Sequence, residues 1–265
     1  MNTNFEPKKV NDYIVNWLKE YAIKSRVKGF VIGISGGIDS AVTSCLCAQT
    51  DLPVLCVELP IHQAESQVNR AKEHIDYLKK KYPNVSSVET NLTSTFDEFC
   101  RNIPQHAEQN TLDLTLANTR SRLRMLTLYY YAGIHSALVV GTGNKIEDFG
   151  IGFFTKYGDG GVDINPIADL MKSEVYKIGI YQGVPSSVIK AKPTDGLFGD
   201  DRTDEDQIGA SYDELEKAMI AYQNGKTTTD FEGREKEVFD IFVHRNKMNQ
   251  HKMNPIPVCI IPENL

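Results

Sequence analysis

A doubly wound α/β fold, a mainly parallel sheet with helices on both faces, is predicted by three features of this 265-residue sequence. The continuous apolar runs GFVIGI (29–34), PVLCVEL (53–59) and ALVVG (137–141) read as strands buried on both faces. One helix length separates the first two, which is the spacing of a βαβ unit. Apolar residues at helical spacing fill the intervals, and 41% hydrophobic with 24% charged residues is a globular composition.

In chain order, Val10, Tyr13, Ile14, Trp17, Leu18 and Tyr21 predict an amphipathic helix that begins near Pro7 and ends before Gly29. After the strands at 29–34 and 53–59, the pattern predicts a helix over 64–80 and a strand over 85–92. A long helix over 112–132 carries Leu112, Leu116, Leu123 and Leu126 among Arg120, Arg122 and Arg124. By themselves the arginines read as a solvated basic face. The leucines suit either a core helix or a contact between subunits. Beyond Gly152 the chain turns irregular and glycine-rich, and 190–209 has almost no apolar periodicity, as expected of a mobile lid. Helices are expected over 204–224 and 233–247. No linker or repeat divides the chain, so residues 1–265 are read as one domain.

A net charge of -6 disfavours extended nucleic-acid binding. Cys45, Cys47, Cys56, Cys100 and Cys259 lack CxxC pairing and read as reduced, buried thiols. With no apolar leader and no run long enough to span a membrane, a cytoplasmic protein is expected.

The informative segment is FVIGISGGIDS, which sets Ser35, Gly36, Gly37, Ile38, Asp39 and Ser40 between a buried strand and a helix. Free backbone N–H groups and the helix dipole favour an anion there. The two glycines admit a phosphate closely, the serines add hydroxyl donors, and Asp39 offers the oxygen ligand that a hard cation takes. An isolated SGG would read as an ordinary tight turn. No GK[ST] follows, so this is not a Walker loop.

The full SGGIDS string resembles the pyrophosphate loop of the N-type ATP pyrophosphatases. With GTGNKIED (141–148), GFFTKYGDGGVDINPIADLMKSEV (152–175), KPTDGL (192–197), TDEDQIGASYDE (203–214) and HK (251–252), in that order, the chain resembles ammonia-dependent NAD synthetase. The resemblance implies an adenine nucleotide α-hydrolase-like fold and a ligase that amidates deamido-NAD with ammonia through an adenylated intermediate. NAD, AMP and pyrophosphate would be the products. It further implies ATP contacts from Gly33, Ile34, Ser35, Gly36, Gly37, Ile38, Asp39, Ser40, Thr142, Lys172 and Thr194, with Mg²⁺ held by Asp39 and Glu147. Arg122, Lys156, Asp163, His251 and Lys252 are implied as dinucleotide contacts. Catalytic roles fall to Asp39, Lys172 and Asp163, and the assembly would be a homodimer.

Glu147 alone would read as a helix-start carboxylate, and Lys172 as a solvated first-turn lysine that the helix dipole disfavours. Phe153 and Phe154 suit a stacking surface or the core equally. Two departures from the family pattern stand out: DFGIG is one residue longer than the usual connector after Glu147, and Gln207 occupies a glutamate position. A tRNA-modifying relative would need a basic docking surface and thiol chemistry. A nucleotide sensor without chemistry would not need Asp39, Glu147 and Lys172 together.

Overall fold

In a computed structural model, residues 5–104, 108–194, 196–197 and 202–263 are described, so residues 195 and 198–201 of the expected lid lie outside them. Helix α1 (Pro7–Ser25) leads into β1 (Phe30–Gly33), α2 (Ile38–Ala48), β2 (Val54–Glu58), α3 (Glu65–Lys81) and β3 (Val85–Glu89). Helices α4 (Thr93–Asn102) and α5 (Gln109–His135) precede β4 (Leu138–Val139) and a π-helix over Lys145–Ile151. Then follow α6 (Lys172–Gln182), α7 (Ser186–Ile189), α8 (Asp204–Ile208), α9 (Tyr212–Gln223), α10 (Gly233–Met248) and α11 (Gln250–Met253).

The strands are parallel in the order β3-β2-β1-β4, and a parallel bridge between Val140 and Ile164 extends the β4 edge. Side chains alternate between the two faces, as strand geometry requires. Phe30, Ile32, Val54 and Cys56 pack with Leu18, Val42, Ile75 and Ile178 of α1, α2, α3 and α6. Val31 and Val57 face the other way, toward Phe96 of α4 and Ala132 of α5. The expected helices on both faces are therefore present. On α1 the buried residues Asn11, Ile14, Leu18 and Ala22 recur every three or four positions, a single stripe laid on the sheet.

A third cluster lies away from the sheet. Ile146 and Ile151 of the π-helix pack with Ile208, Leu215, Met219, Phe239 and Phe242. This helical layer bears on the site described below.

Several expectations change. The helix expected over 204–224 is two helices, because Gly209 adopts a left-handed φ of 86° and ends α8. Thr203 with Asp206, and Ser211 with Glu214, then form separate capping boxes for α8 and α9. The expected lid accordingly contains a helix at its end. Helix α4 was not foreseen, since of its residues only Phe96 is buried. Cys45, Cys47 and Cys56 are buried as expected, but Cys100 is half-buried and Cys259 exposed. Helix α5 is neither a core helix nor a bare one: it buries Ala117, Ser121 and Ala132 and leaves Leu114, Leu126, Tyr130 and Ile134 exposed.

Of its arginines Arg122 is exposed as expected, but Arg120 and Arg124 are half-buried. Arg120 lies over the Phe96 ring at 4.4 Å and donates to the Leu197 carbonyl at 2.9 Å. Arg124 donates to the Leu59 carbonyl and Gln63. A basic side chain can join distant backbone in this way, which helical spacing does not reveal.

Candidate active site

The Ser-Gly loop leaves β1 at its carboxyl end and enters α2, whose N-cap is Gly37. Gly36 takes φ +80° and lies so close to α3 that an added Cβ would stand 2.7 Å from the Gln67 carbonyl. Ser35 and Ser40 hydroxyls are 3.1 Å apart, the Gly37 N–H donates to Ser35 Oγ at 3.2 Å, and Arg70 Nε donates to the Gly36 carbonyl. The loop is thus held in shape by its own side chains and by α3.

Three elements meet beside it. Lys172, the first residue of α6, directs Nζ to Asp39 Oδ2 at 2.6 Å and to Glu147 Oε1 at 2.8 Å. Only 3% of the lysine side chain is exposed, against 17% of Asp39 and 15% of Glu147. Burial would lower the lysine pKa, but the two carboxylates more than offset this and hold it raised. Burial likewise works to raise Glu147, yet Lys172, Tyr212 and Asn144 keep it low, whereas Lys172 only partly offsets the burial of Asp39. The position that the helix dipole disfavours is explained by these partners.

Asn144 joins both carboxylates. Fully buried, it donates to Asp39 Oδ1 at 3.1 Å while its own oxygen accepts the N–H groups of Ile146 and Glu147. Glu147 follows on the π-helix, whose wider turn takes up one residue more than an α-helical turn. Glu147 there faces Lys172. From the helical layer, the Tyr212 hydroxyl donates to Glu147 Oε1 at 2.5 Å, and its ring centroid lies 4.7 Å from Lys172 Nζ.

A cavity of about 280 Å³ opens here, lined by the Ser-Gly loop, Thr142, Glu147, Lys172 and Thr194. Of the expected ATP contacts, Gly36 alone is missing from its wall, because it turns toward α3. Phe153 both lines the cavity and packs on the helical layer. Asp148 and Asp159 also line it, unforeseen from sequence. Burial pushes the Asp148 carboxyl well above the ordinary carboxylate range, and the charges of Asp159, Glu147 and Asp39 add to this. Asp159 accepts from Ser121 Oγ at 2.6 Å and from the Thr155 N–H.

The residues expected to bind the dinucleotide are not in the cavity wall. Four lie beside it: Arg122 Nε donates to the Lys156 carbonyl and Lys156 Nζ to the His251 carbonyl at 2.5 Å, while Lys252 Nζ donates separately to the carbonyls of Gly152 and Phe154. Asp163 stands apart from them, accepting from the Tyr129 hydroxyl at 3.0 Å and the Val139 N–H at 2.8 Å. One of its oxygens thus binds the β4 backbone and the other the α5 tyrosine.

Sequence reasoning passed over Asn144, Arg70 and Tyr212. An asparagine ahead of a helix start is a capping signal that was available for Asn144. Nothing local marks Arg70 or the Tyr212 hydroxyl, because their partners lie 34 and 65 positions away.

Among the described residues, no group of three or more His, Cys, Asp or Glu side chains is arranged to hold a metal. Asp39 and Glu147 nevertheless fit Mg²⁺, which takes one or two carboxylates and completes its shell with water and phosphate.

The parallel sheet, whose first strand feeds a Ser-Gly-Gly loop beside two carboxylates and a buried lysine on one cavity, has the adenine nucleotide α-hydrolase type of fold. Residues 10–256 match the family model described as NAD synthase. The chain is 38% identical over 259 residues to the NH₃-dependent NAD⁺ synthetase of Mesoplasma florum, covering 94% of this chain and 95% of that one. Among solved structures it resembles NMN synthetase from Francisella tularensis, with a TM-score of 0.81 and 31% identity over 98% of this chain and 100% of the other. The NH₃-dependent NAD synthetase from Campylobacter jejuni shares the fold, with a TM-score of 0.77 and 24% identity over 97% and 100%. The chain belongs to the NAD synthase family and is a ligase.

Proposed function

We propose that this protein amidates the nicotinate carboxylate of deamido-NAD with free ammonia, splitting ATP into AMP and pyrophosphate. The observation that carries the reading is Lys172 Nζ held between Asp39 and Glu147 at the mouth of the Ser-Gly loop. The loop N–H groups and the start of α2 bind the β- and γ-phosphates. Asp39 and Glu147 would hold Mg²⁺, which supplies neutralisation of pyrophosphate oxygens when bound. Lys172 stabilises charge on the departing pyrophosphate as the nicotinate carboxylate attacks the α-phosphorus. Ammonia then displaces AMP from the mixed anhydride, leaving the amide. No enzyme nucleophile is required.

The basic group of Arg122, Lys156, His251 and Lys252 suits the anionic dinucleotide, and Lys156 lies on the segment that also sends Phe153 and Asp159 to the cavity wall. A homodimer is part of the reading, supported by Leu126, Tyr130 and Ile134 exposed on α5. No helix of the described residues is long and apolar enough to cross a membrane, and we assign the protein to the cytoplasm.

Incubation with ATP, magnesium and deamido-NAD, with and without ammonium chloride, tests the function by chromatography of AMP and NAD. NAD should form only with ammonium, and glutamine stripped of ammonia should not replace it. Because protonated ammonium has no lone pair, the rate at fixed total ammonium should rise toward alkaline pH. Absence of both products would reject the reading.

Similarity to a protein named NMN synthetase supports a second reading, in which the acid amidated is the mononucleotide. Equal concentrations of the two acids in one reaction decide between them. Preferential formation of NMN would replace deamido-NAD as the substrate.

A further inference from the structure

Tyr212 lies in the first turn of α9, outside the sheet, yet reaches the carboxylate most central to the site. Its hydroxyl stands 2.5 Å from Glu147 Oε1 and 3.3 Å from Asp204 Oδ2. A phenol has one proton to donate, so two carboxylates compete for it and the nearer one, Glu147, receives the stronger bond. Glu147 Oε1 is also the atom that accepts from Lys172, so phenol and ammonium fix one oxygen from two directions. The ring covers Lys172 on the side of the helical layer. Asp204 in turn donates its backbone N–H to the Pro193 carbonyl at 3.1 Å, within the glycine-rich segment. Polar contacts thus link Pro193, Asp204, Tyr212, Glu147, Lys172 and Asp39, with the phenol proton shared unequally between Glu147 and the more distant Asp204.

We propose that Tyr212 is a positioning residue for the reaction, orienting the Glu147 carboxylate for the metal and tying it to the base of segment 190–209. This rests on the reading of Asp39 and Glu147 as magnesium ligands. Residues that hydrogen-bond a metal ligand commonly change metal affinity by about 10- to 100-fold when altered. Tyr212→Phe removes the hydroxyl and keeps the ring in its apolar cluster, so folding should be retained.

The test is calorimetric titration with ATP, in magnesium and separately in EDTA, without dinucleotide so that no turnover occurs. Tyr212→Phe should weaken Mg·ATP binding by about tenfold and leave metal-free ATP binding unchanged. Equal weakening in both conditions, or none in either, would overturn the positioning role. Glu147→Gln is titrated in parallel. If it keeps full Mg·ATP affinity, the metal reading fails and this proposal with it. If only Tyr212→Phe keeps that affinity, the tyrosine's role alone fails. Asp204→Asn, which alters the far end of this set of contacts, serves if Tyr212→Phe does not fold. It should shift the same ratio in the same direction, and an unchanged ratio would overturn the proposal.

Discussion

At the Ser-Gly wall of the cavity, Lys172 meets carboxylates from two other elements, Asp39 and Glu147, whereas at the rim Lys156 and Lys252 donate to the backbone carbonyls of His251, Gly152 and Phe154. The wall is a closed set of opposite charges in which every member depends on the others. At the rim the lysine hydrogen bonds go to neutral carbonyls, and Lys252 feels the carboxylates of Asp159 and Asp148 only through their charge. A preorganised wall suits a phosphate chain that reacts. A rim of cations held by neutral carbonyls suits binding without chemistry.

Breaking the wall should cost most. Lys172→Met leaves two facing carboxylates without their cation, and removing one partner of a buried ion pair typically costs about 3–5 kcal/mol. Urea denaturation should show that loss together with collapse of turnover. A variant as stable as the parent would mean that the carboxylates are not mutually dependent on Lys172.

Behind the wall, His74 of α3 bonds Ser44 of α2 at 2.9 Å, and burial lowers its pKa from 6.5 to about 4. The unfolded chain takes up a proton that the folded chain refuses. Stability is therefore full above pH 6.5 and falls as pH drops toward 4, by about 3 kcal/mol in all. His74→Gln should flatten this acid limb when urea midpoints at pH 7 and 4.5 are compared. An unchanged limb would remove His74 as its cause.

Within the site, Asp39→Asn should fold yet lose at least about tenfold in turnover, since an amide is a poorer magnesium ligand. At the rim, Lys252→Ala should raise KM for the dinucleotide by about tenfold and leave KM for ATP near the parent value, as expected for uniform binding. A fall in kcat instead would dissolve the distinction between wall and rim. The smallest effect concerns segment 190–209, where hydrogen exchange should slow when both nucleotides bind. Equal protection with and without ligands would make it a static loop.

Much of the wall is legible in the sequence because its parts are local. SGGIDS follows an apolar strand, so strand, turn and helix start can be read in one string. The sheet faces follow from alternation, and α8 and α9 could have been separated by their two capping boxes. Glu147 and Lys172 became readable only through the family pattern. Read singly, each resembled an ordinary surface charge.

The sequence by itself determined the parallel sheet, the Ser-Gly turn between β1 and α2, and the family, since periodicity, glycines and motif order are properties of neighbouring residues. Only the tertiary structure decided that Asp163 accepts from Val139 and Tyr129 while Asp148 and Asp159 line the cavity, and that Lys145–Ile151 form a π-helix. It also decided that Asn144 and Tyr212 complete the carboxylate pair. These depend on contacts between residues as many as 133 positions apart, as between Asp39 and Lys172. Short-range patterning carries no record of which distant side chain will satisfy a buried charge; that is settled when the packed elements leave one partner within hydrogen-bonding reach.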